Sequence, residues 1–133
     1  MNPMTRLHRD QRGLVGKFIV GWLVMVVVFG LAAIDGASIM LTTFRLSDIA
    51  TTAAADAAVN FRDTDDVRSA CGEARNTVSE QDPGAKVVSC EIEKHGTVTI
   101  TIRKQAATLV VEKLDFLKSY ANVTRTETVH ARV

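Results

Sequence analysis

The residues best suited to chemistry in this sequence are its two cysteines, Cys71 and Cys90. A thiol can bind a metal, act as a nucleophile or form a disulfide, depending on its surroundings. Neither cysteine has a partner at the CxxC spacing of a metal site, and His95 and His130 are isolated. A disulfide closing a loop of this length stabilises a fold by about 3 kcal/mol in the chain-entropy model. We therefore predict a Cys71–Cys90 disulfide in an oxidising compartment, with two buried reduced cysteines as the alternative.

Carboxylates form two further candidate groups. Asp63, Asp65 and Asp66 begin like a calcium loop, but the residues after them lack the glycine and the terminal glutamate of such loops, and helix capping fits better. Asp35 closes an apolar run, where it would either pair with a basic residue of a neighbouring helix or lie among the outer headgroups. No GxSxG motif or Cys–His pattern of a protease occurs in the sequence. We predict a protein that is not an enzyme and that has no metal, cofactor or small-molecule substrate.

The element that positions Asp35 is the uninterrupted apolar run from Phe18 to Ile34. A membrane-spanning helix needs about 20 apolar residues, which the sequence reaches over residues 14–41 if the side chain of Lys17 extends to the headgroups. The apolar core exceeds the roughly 7–15 residues of a cleaved signal peptide, the alternative interpretation, so we predict an uncleaved anchor. Basic residues flank its N-terminal side, which predicts that residues 1–13 are cytoplasmic and that the rest is exported. These topology determinants are Arg6, Arg9, Arg12 and Lys17.

Helix-forming sequence continues beyond the membrane segment. Residues 42–61 contain no glycine or proline and are rich in alanine, which predicts an exported continuation of the same helix. Small residues recur four positions apart at the outer end of the span, a spacing that lets a second helix approach closely. The predicted membrane-helix contact consists of Ala32, Ala33, Asp35, Gly36 and Ala37.

Residues 62–133 are predicted to form a small extracytoplasmic α+β domain. A helix over 67–79 is followed by strands at 85–93 and 97–103, a helix over 105–120 and a strand over 123–133. Alternation places Val88, Cys90 and Ile92 on one face of the first strand, and Val98, Ile100 and Ile102 on one face of the second. The predicted fold class is α+β, with a long N-terminal helix packed by a three-stranded antiparallel sheet and two further helices.

The charge of the chain limits its partners. The formal net charge is +1, and the basic residues are interspersed with acids, which argues against a nucleic-acid partner. The predicted partners are the lipid bilayer and other membrane protein subunits.

Three stretches of the first half of the chain resemble one family. Arg12-Gly13 precedes the apolar helix, Ala33-Ile34-Asp35 ends it, and the 45–50 stretch RLSDIA runs into AAADAA at 53–58. This pattern is similar to the N-terminal module of TadE/TadG-like proteins of the Flp, or tight-adherence, pilus. The resemblance implies a pilin-like fold and a minor pilin or pilus- or secretion-assembly subunit of the bacterial inner membrane.

One position departs from that family. Its processed members have a glutamate shortly after the glycine of the cleavage site, whereas Lys17 occupies that region here. We therefore expect no cleavage after Gly13, and an unprocessed chain would remain a bitopic membrane subunit that docks on other helices. The alternative is an accessory single-helix subunit of another membrane complex, such as an enzyme assembly, with its exported domain covering the outer face. A binding or sensing module is a third possibility.

Overall fold

A single helix forms almost half of the molecule. The computed structural model describes the backbone of residues 7–130, together with the side chains of residue 13 and residues 15–130. Helix α1 (Leu7–Thr64) is continuous over 58 residues, or roughly 87 Å at 1.5 Å per residue. It passes through Gly13 and the apolar run without interruption. The prediction of one uninterrupted helix from the apolar run through residue 61 is thus confirmed.

A second helix folds back along the outer part of α1. Asp65 adopts a φ of 52° between the two helices, and helix α2 (Val67–Gln81) follows with Asp66 as its N-cap. The Arg68 N–H donates to Asp66 Oδ1 at 2.8 Å, which is the capping predicted for this acidic cluster. Small side chains of both helices are fully buried, which lets their backbones lie close together. They are Ala50, Ala53, Ala54, Ala57, Ala70 and Ala74.

The remaining layer is a three-stranded antiparallel sheet in the order β1-β2-β3. Its strands are β1 (Lys86–Ile92), β2 (Thr97–Gln105) and β3 (Asn122–His130). The side chains of Val98, Ile100 and Ile102 on the central strand are completely buried in the same core as the alanines of α1. The α+β class, the long helix, the second helix and the sheet therefore agree with the prediction. The third strand was predicted over 123–133, and residues 131–133 lie outside the described residues.

The face of the first strand was partly mispredicted. The register shifts between Val87, which pairs with Ile102, and Ser89, which pairs with Thr101. This bulge inserts one residue and breaks the two-residue alternation. Val88 is therefore 52% exposed, and Val87 packs against the core with Cys90 and Ile92.

The helix predicted over residues 105–120 is wrong. Gln105 belongs to β2, and the chain then forms only two short 3₁₀ turns, Val111–Lys113 and Lys118–Ala121. The apolar residues that suggested helical spacing do not form a buried stripe, because Leu109 and Leu114 are exposed. The N–H groups of Leu109, Val110 and Val111 donate to the carboxylate of Asp35, in place of the carbonyls of residues 105–107 that an α-helix would use.

The predicted disulfide is present. Cys71 and Cys90 are bonded, with their Cα atoms 6.0 Å apart, and the bridge joins α2 to β1. Strand β1 lies at one edge of the sheet. The bridge therefore restrains the edge strand against the helix pair.

Candidate functional site at the inner end of the sheet

The most constrained polar group in the described residues is the carboxylate of Asp35. Its Oδ1 accepts the N–H of Leu109 at 2.7 Å, and its Oδ2 accepts those of Val110 and Val111 at 2.8 and 2.9 Å. The side chain is only 2% exposed. We call this arrangement of Asp35 and the three N–H groups the Asp35 clamp. It ties the end of the apolar run to a segment more than seventy residues later in the chain.

The next turn of α1 supports the clamp. The Ser38 hydroxyl donates to the Ala107 carbonyl, so that one helical turn binds two points of the same segment. Thr108 Oγ1 accepts the N–H of Glu112 at 3.1 Å, which tightens the bend after the clamp. The segment is closed at its base by Ala106 N–H donating to the Ala121 carbonyl at 2.7 Å. Residues 106–121, which we call the 106–121 loop, are thus a compact Ω-type excursion between β2 and β3.

The clamp explains how an acidic residue can end an apolar helix while being buried. A buried carboxylate is costly unless hydrogen bonds replace the lost water, and N–H donors to a charged acceptor are among the stronger ones. Here three donors converge on both oxygens. The sequence suggested that Asp35 pairs with a basic residue of a neighbouring helix or lies among the headgroups. Neither prediction placed it in contact with the domain of its own chain. The side chain faces that domain and leaves little surface for a partner's basic residue.

None of the described residues covers the apolar part of α1 before the clamp. Between Val15 and Ile34 every side chain is exposed except that of Leu31, which is half-buried. Within the part of the chain that the structure describes, one helix, α1, is long enough and apolar enough to cross a membrane. Lys17 is exposed near the beginning of the apolar run. Arg9 and Arg12 lie on α1, but their side chains are not described, and Arg6 lies outside the described residues.

An exposed apolar stripe continues beyond the clamp. It consists of Ile34, Ala37, Leu41 and Phe44, whose spacing of three and four places them on one face of α1. Ile34, Leu41 and Phe44 are 56%, 64% and 66% exposed. Asp35, Leu46 and Ile49 are buried on the side facing the domain. Helix α1 is therefore covered on one side only from residue 35 outward.

A groove of about 470 Å³ runs beside this stripe. Ile34, Ala37 and Leu41 contribute apolar surface, and Arg45 together with the ion pair of Lys104 and Asp82 supplies charge. The groove thus offers apolar surface next to the apolar run and charged side chains further along α1.

Asp82 is held in its ionised form. Burial raises the pKa of its carboxyl, but the hydrogen bond from Lys104, the Gly84 N–H and the nearby charges of Lys104 and Arg45 outweigh this, and its pKa is lowered overall. The Asp82 side chain is 15% exposed and the Lys104 side chain 28%. The pair therefore keeps opposite charges in the wall of the groove at neutral pH, so that the wall presents a fixed, partly shielded dipole.

The other predicted contact residues surround the clamp. Ala32, Ala33, Gly36 and Ala37 are all exposed, and a Cβ added at Gly36 would meet no described atom within 4 Å apart from its own helical turns. The contact of these small residues with a second helix stays a prediction. Asp63 and Asp65 are exposed, and Asp66 acts as the N-cap. Among the described residues no group of three or more His, Cys, Asp or Glu side chains could hold a metal ion.

The partners of Asp35 could not be found from the sequence. They are backbone N–H groups, which every residue except proline carries, so that their side chains give no signal. The available signal was Asp35 itself, an acid at the end of an apolar run. No protein-family model, curated protein or solved structure matches this chain.

Proposed function

We propose that this chain is a single-span membrane protein of an envelope assembly, whose helix α1 docks on the helices of other subunits. The observation that carries the proposal is the contrast between the two ends of α1. One end is bare and apolar over the length of a membrane span, and the other is built into the core of a small domain. The Asp35 clamp lies where the bare part of α1 ends and the part packed in the domain begins. Such a protein presents a helix to its neighbours with a fixed orientation of the attached domain.

The proposed membrane disposition follows from the basic residues before the span. The N-terminus lies in the cytoplasm and the α+β domain outside the bacterial inner membrane. The disulfide supports this side for the domain, because such bonds persist in oxidising compartments. In spheroplasts, a cysteine introduced by Val59→Cys should react with a membrane-impermeant maleimide from outside, and one introduced by Gln11→Cys, in the segment predicted to be cytoplasmic, should react only after permeabilisation. The opposite pattern would reverse the topology.

The proposed docking surface is the apolar stripe together with the groove beside it. Alanine at position 37 leaves room for the backbone of a second helix, and Leu41 and Phe44 offer apolar area to it. The charged wall of the groove, with Arg45, Lys104 and Asp82, can select a partner whose polar groups begin at the same level. A continuous helix with small residues near the membrane boundary suits assembly of the TadE/TadG-like pilus type. We propose this class of assembly on the resemblance of the first half of the chain.

Affinity purification in mild detergent, followed by mass spectrometry, tests this function. The unchanged protein is expected to recover pilus- or secretion-assembly subunits, and Ala37→Phe is expected to reduce their recovery by filling the groove. Val59→Phe is the matched control, because Val59 is an exposed residue of α1 that lies about 33 Å further along the helix. Recovery of an enzyme complex without pilus components would favour the accessory-subunit alternative. Equal recovery with Ala37→Phe would exclude the groove as the docking surface.

A further inference from the structure

The 106–121 loop exposes large apolar side chains that none of the described residues covers. Leu109 is 59% exposed, Phe116 76% and Tyr120 69%. In a soluble domain of this size, a group of such side chains on one loop signals a surface that contacts something apolar. The loop is also held in place, by its base at Ala106 and Ala121 and by the Asp35 clamp. Its exposed side chains are thus presented on an anchored segment.

The clamp sets the level of the loop relative to the proposed membrane span. Asp35 lies about 27 Å along α1 from Lys17 at 1.5 Å per residue, and the hydrocarbon core of a bilayer is about 30 Å thick. The N–H groups of Leu109, Val110 and Val111 are bonded directly to Asp35, so this part of the loop lies at the same level. We place the boundary between the acyl chains and the headgroups of the outer leaflet at that level, which ends the span at Asp35 and not at residue 41, because Asp35 and Ser38 already bind the domain. Aromatic rings such as those of Phe116 and Tyr120 are favoured there.

The charges of the loop indicate how it would contact a bilayer. Glu112 and Asp115 are balanced by Lys113 and Lys118, so residues 106–121 carry no formal net charge. Lys118 is further paired with Asp115 at 2.6 Å. Attraction to anionic headgroups therefore contributes little. Insertion of apolar side chains is the remaining source of affinity.

We propose that the 106–121 loop is a second membrane contact, which inserts Leu109, Phe116 and Tyr120 into the outer leaflet beside α1. This inference rests on the proposed membrane span. A helix alone leaves its domain free to tilt and rotate about the membrane normal, whereas a helix and a loop joined through Asp35 contact the bilayer at two places. The contact restricts how the domain can face its neighbours, and with it the direction in which the groove opens.

Depth-dependent fluorescence quenching tests the proposal, because Trp22 is the single tryptophan of the chain. The full protein is placed in phosphatidylcholine nanodiscs with bromine atoms on the acyl chains. Trp22 of the unchanged protein reports on the span. A Trp22→Phe/Phe116→Trp variant reports on the loop, with Trp22→Phe/Tyr120→Trp as a second probe. A Trp22→Phe/Val59→Trp variant is the exposed control, since Val59 lies about 36 Å beyond Asp35.

We expect quenching and a blue-shifted emission at position 116 or 120, and neither effect at position 59. High salt and anionic lipid should leave the loop quenching unchanged. One result would overturn the loop contact and leave the span intact. In it, Trp22 is quenched, but tryptophans at positions 116 and 120 are as accessible to water as the one at position 59. A blue shift without bromine quenching would mean that protein covers the loop, which also overturns lipid insertion. Absence of quenching at Trp22 would instead refute the span and the proposed function.

Discussion

Removal of the Asp35 carboxylate should open the 106–121 loop while leaving the rest of the domain folded. Three N–H groups donate to this carboxylate, and a hydrogen bond to a charged group contributes at least about 1.5 kcal/mol net. Asp35→Ala therefore removes about 4.5 kcal/mol from the closed state of the loop. A free-energy change of about 1.4 kcal/mol is a tenfold change in an equilibrium. Amide exchange at residues 109–111 should thus accelerate by up to about three orders of magnitude.

Asp35→Asn should have an intermediate effect. Its single carbonyl oxygen can replace Oδ2, which accepts two of the three N–H groups, but as a neutral acceptor worth about 1 kcal/mol for each bond. About 2 kcal/mol is then retained, so exchange should accelerate by about two orders of magnitude.

Hydrogen–deuterium exchange of the protein in nanodiscs measures both effects. The amides of Ile100 and Ile102 in the buried central strand serve as the internal reference, because the loop can open without breaking the sheet. Asp48→Ala is the matched control, since Asp48 is an exposed acid of the same helix. Unchanged exchange at residues 109–111 in Asp35→Ala would refute the clamp. Equal acceleration in β2 would show that its loss unfolds the whole domain.

Three further outcomes follow from the domain itself. Cys71→Ser should destabilise the domain by about 3 kcal/mol, measured by urea unfolding, and reductant should lower the Tm of the unchanged protein but not that of the variant. Burial raises the pKa of Asp82, but Lys104 outweighs it, so that the pKa in the folded protein is lowered. The ionised carboxylate therefore stabilises the fold above the unfolded pKa of about 3.9, and this stability is lost as the pH falls through the folded pKa. The stability difference between the unchanged protein and Asp82→Asn should therefore shrink below about pH 4, and a constant difference would contradict this. Ile100→Ala should cost about 2–5 kcal/mol, whereas Val88→Ala on the bulge should stay within about 0.5 kcal/mol, and equal costs would contradict the assigned register.

The elements predicted correctly from the sequence are those whose signal is local. Helix α1 contains no proline and is rich in alanine in its second half. Strand β2 alternates Val98, Ile100 and Ile102 with threonines. The first signal is helix-forming composition, and the second is the two-residue repeat of a strand. The disulfide was predictable because only one pair of cysteines exists.

The errors lie where a distant contact overrides the local pattern. The 106–121 loop has helical spacing of apolar residues, but the N–H groups of residues 109–111 donate to the carboxylate of Asp35 and not to carbonyls four residues earlier in the chain. At Val88 a bulge reverses the face of the strand, and bulges leave little trace in a single sequence. The environment of Asp35 was missed for the same reason, since its partners are backbone groups that lie far away in the chain.

Site-specific photo-crosslinking tests the central claim, that α1 docks on other subunits through the stripe and the groove. A photoreactive phenylalanine analogue replaces Leu41, which lines the groove, or Val59, which lies on the exposed outer part of α1. After irradiation of living cells, position 41 should yield a protein adduct of discrete mass, and position 59 should yield much less of it. The same adduct should weaken when Ala37→Phe is added. Absence of a protein adduct at position 41 in irradiated cells, with the protein inserted in the membrane, would contradict the account.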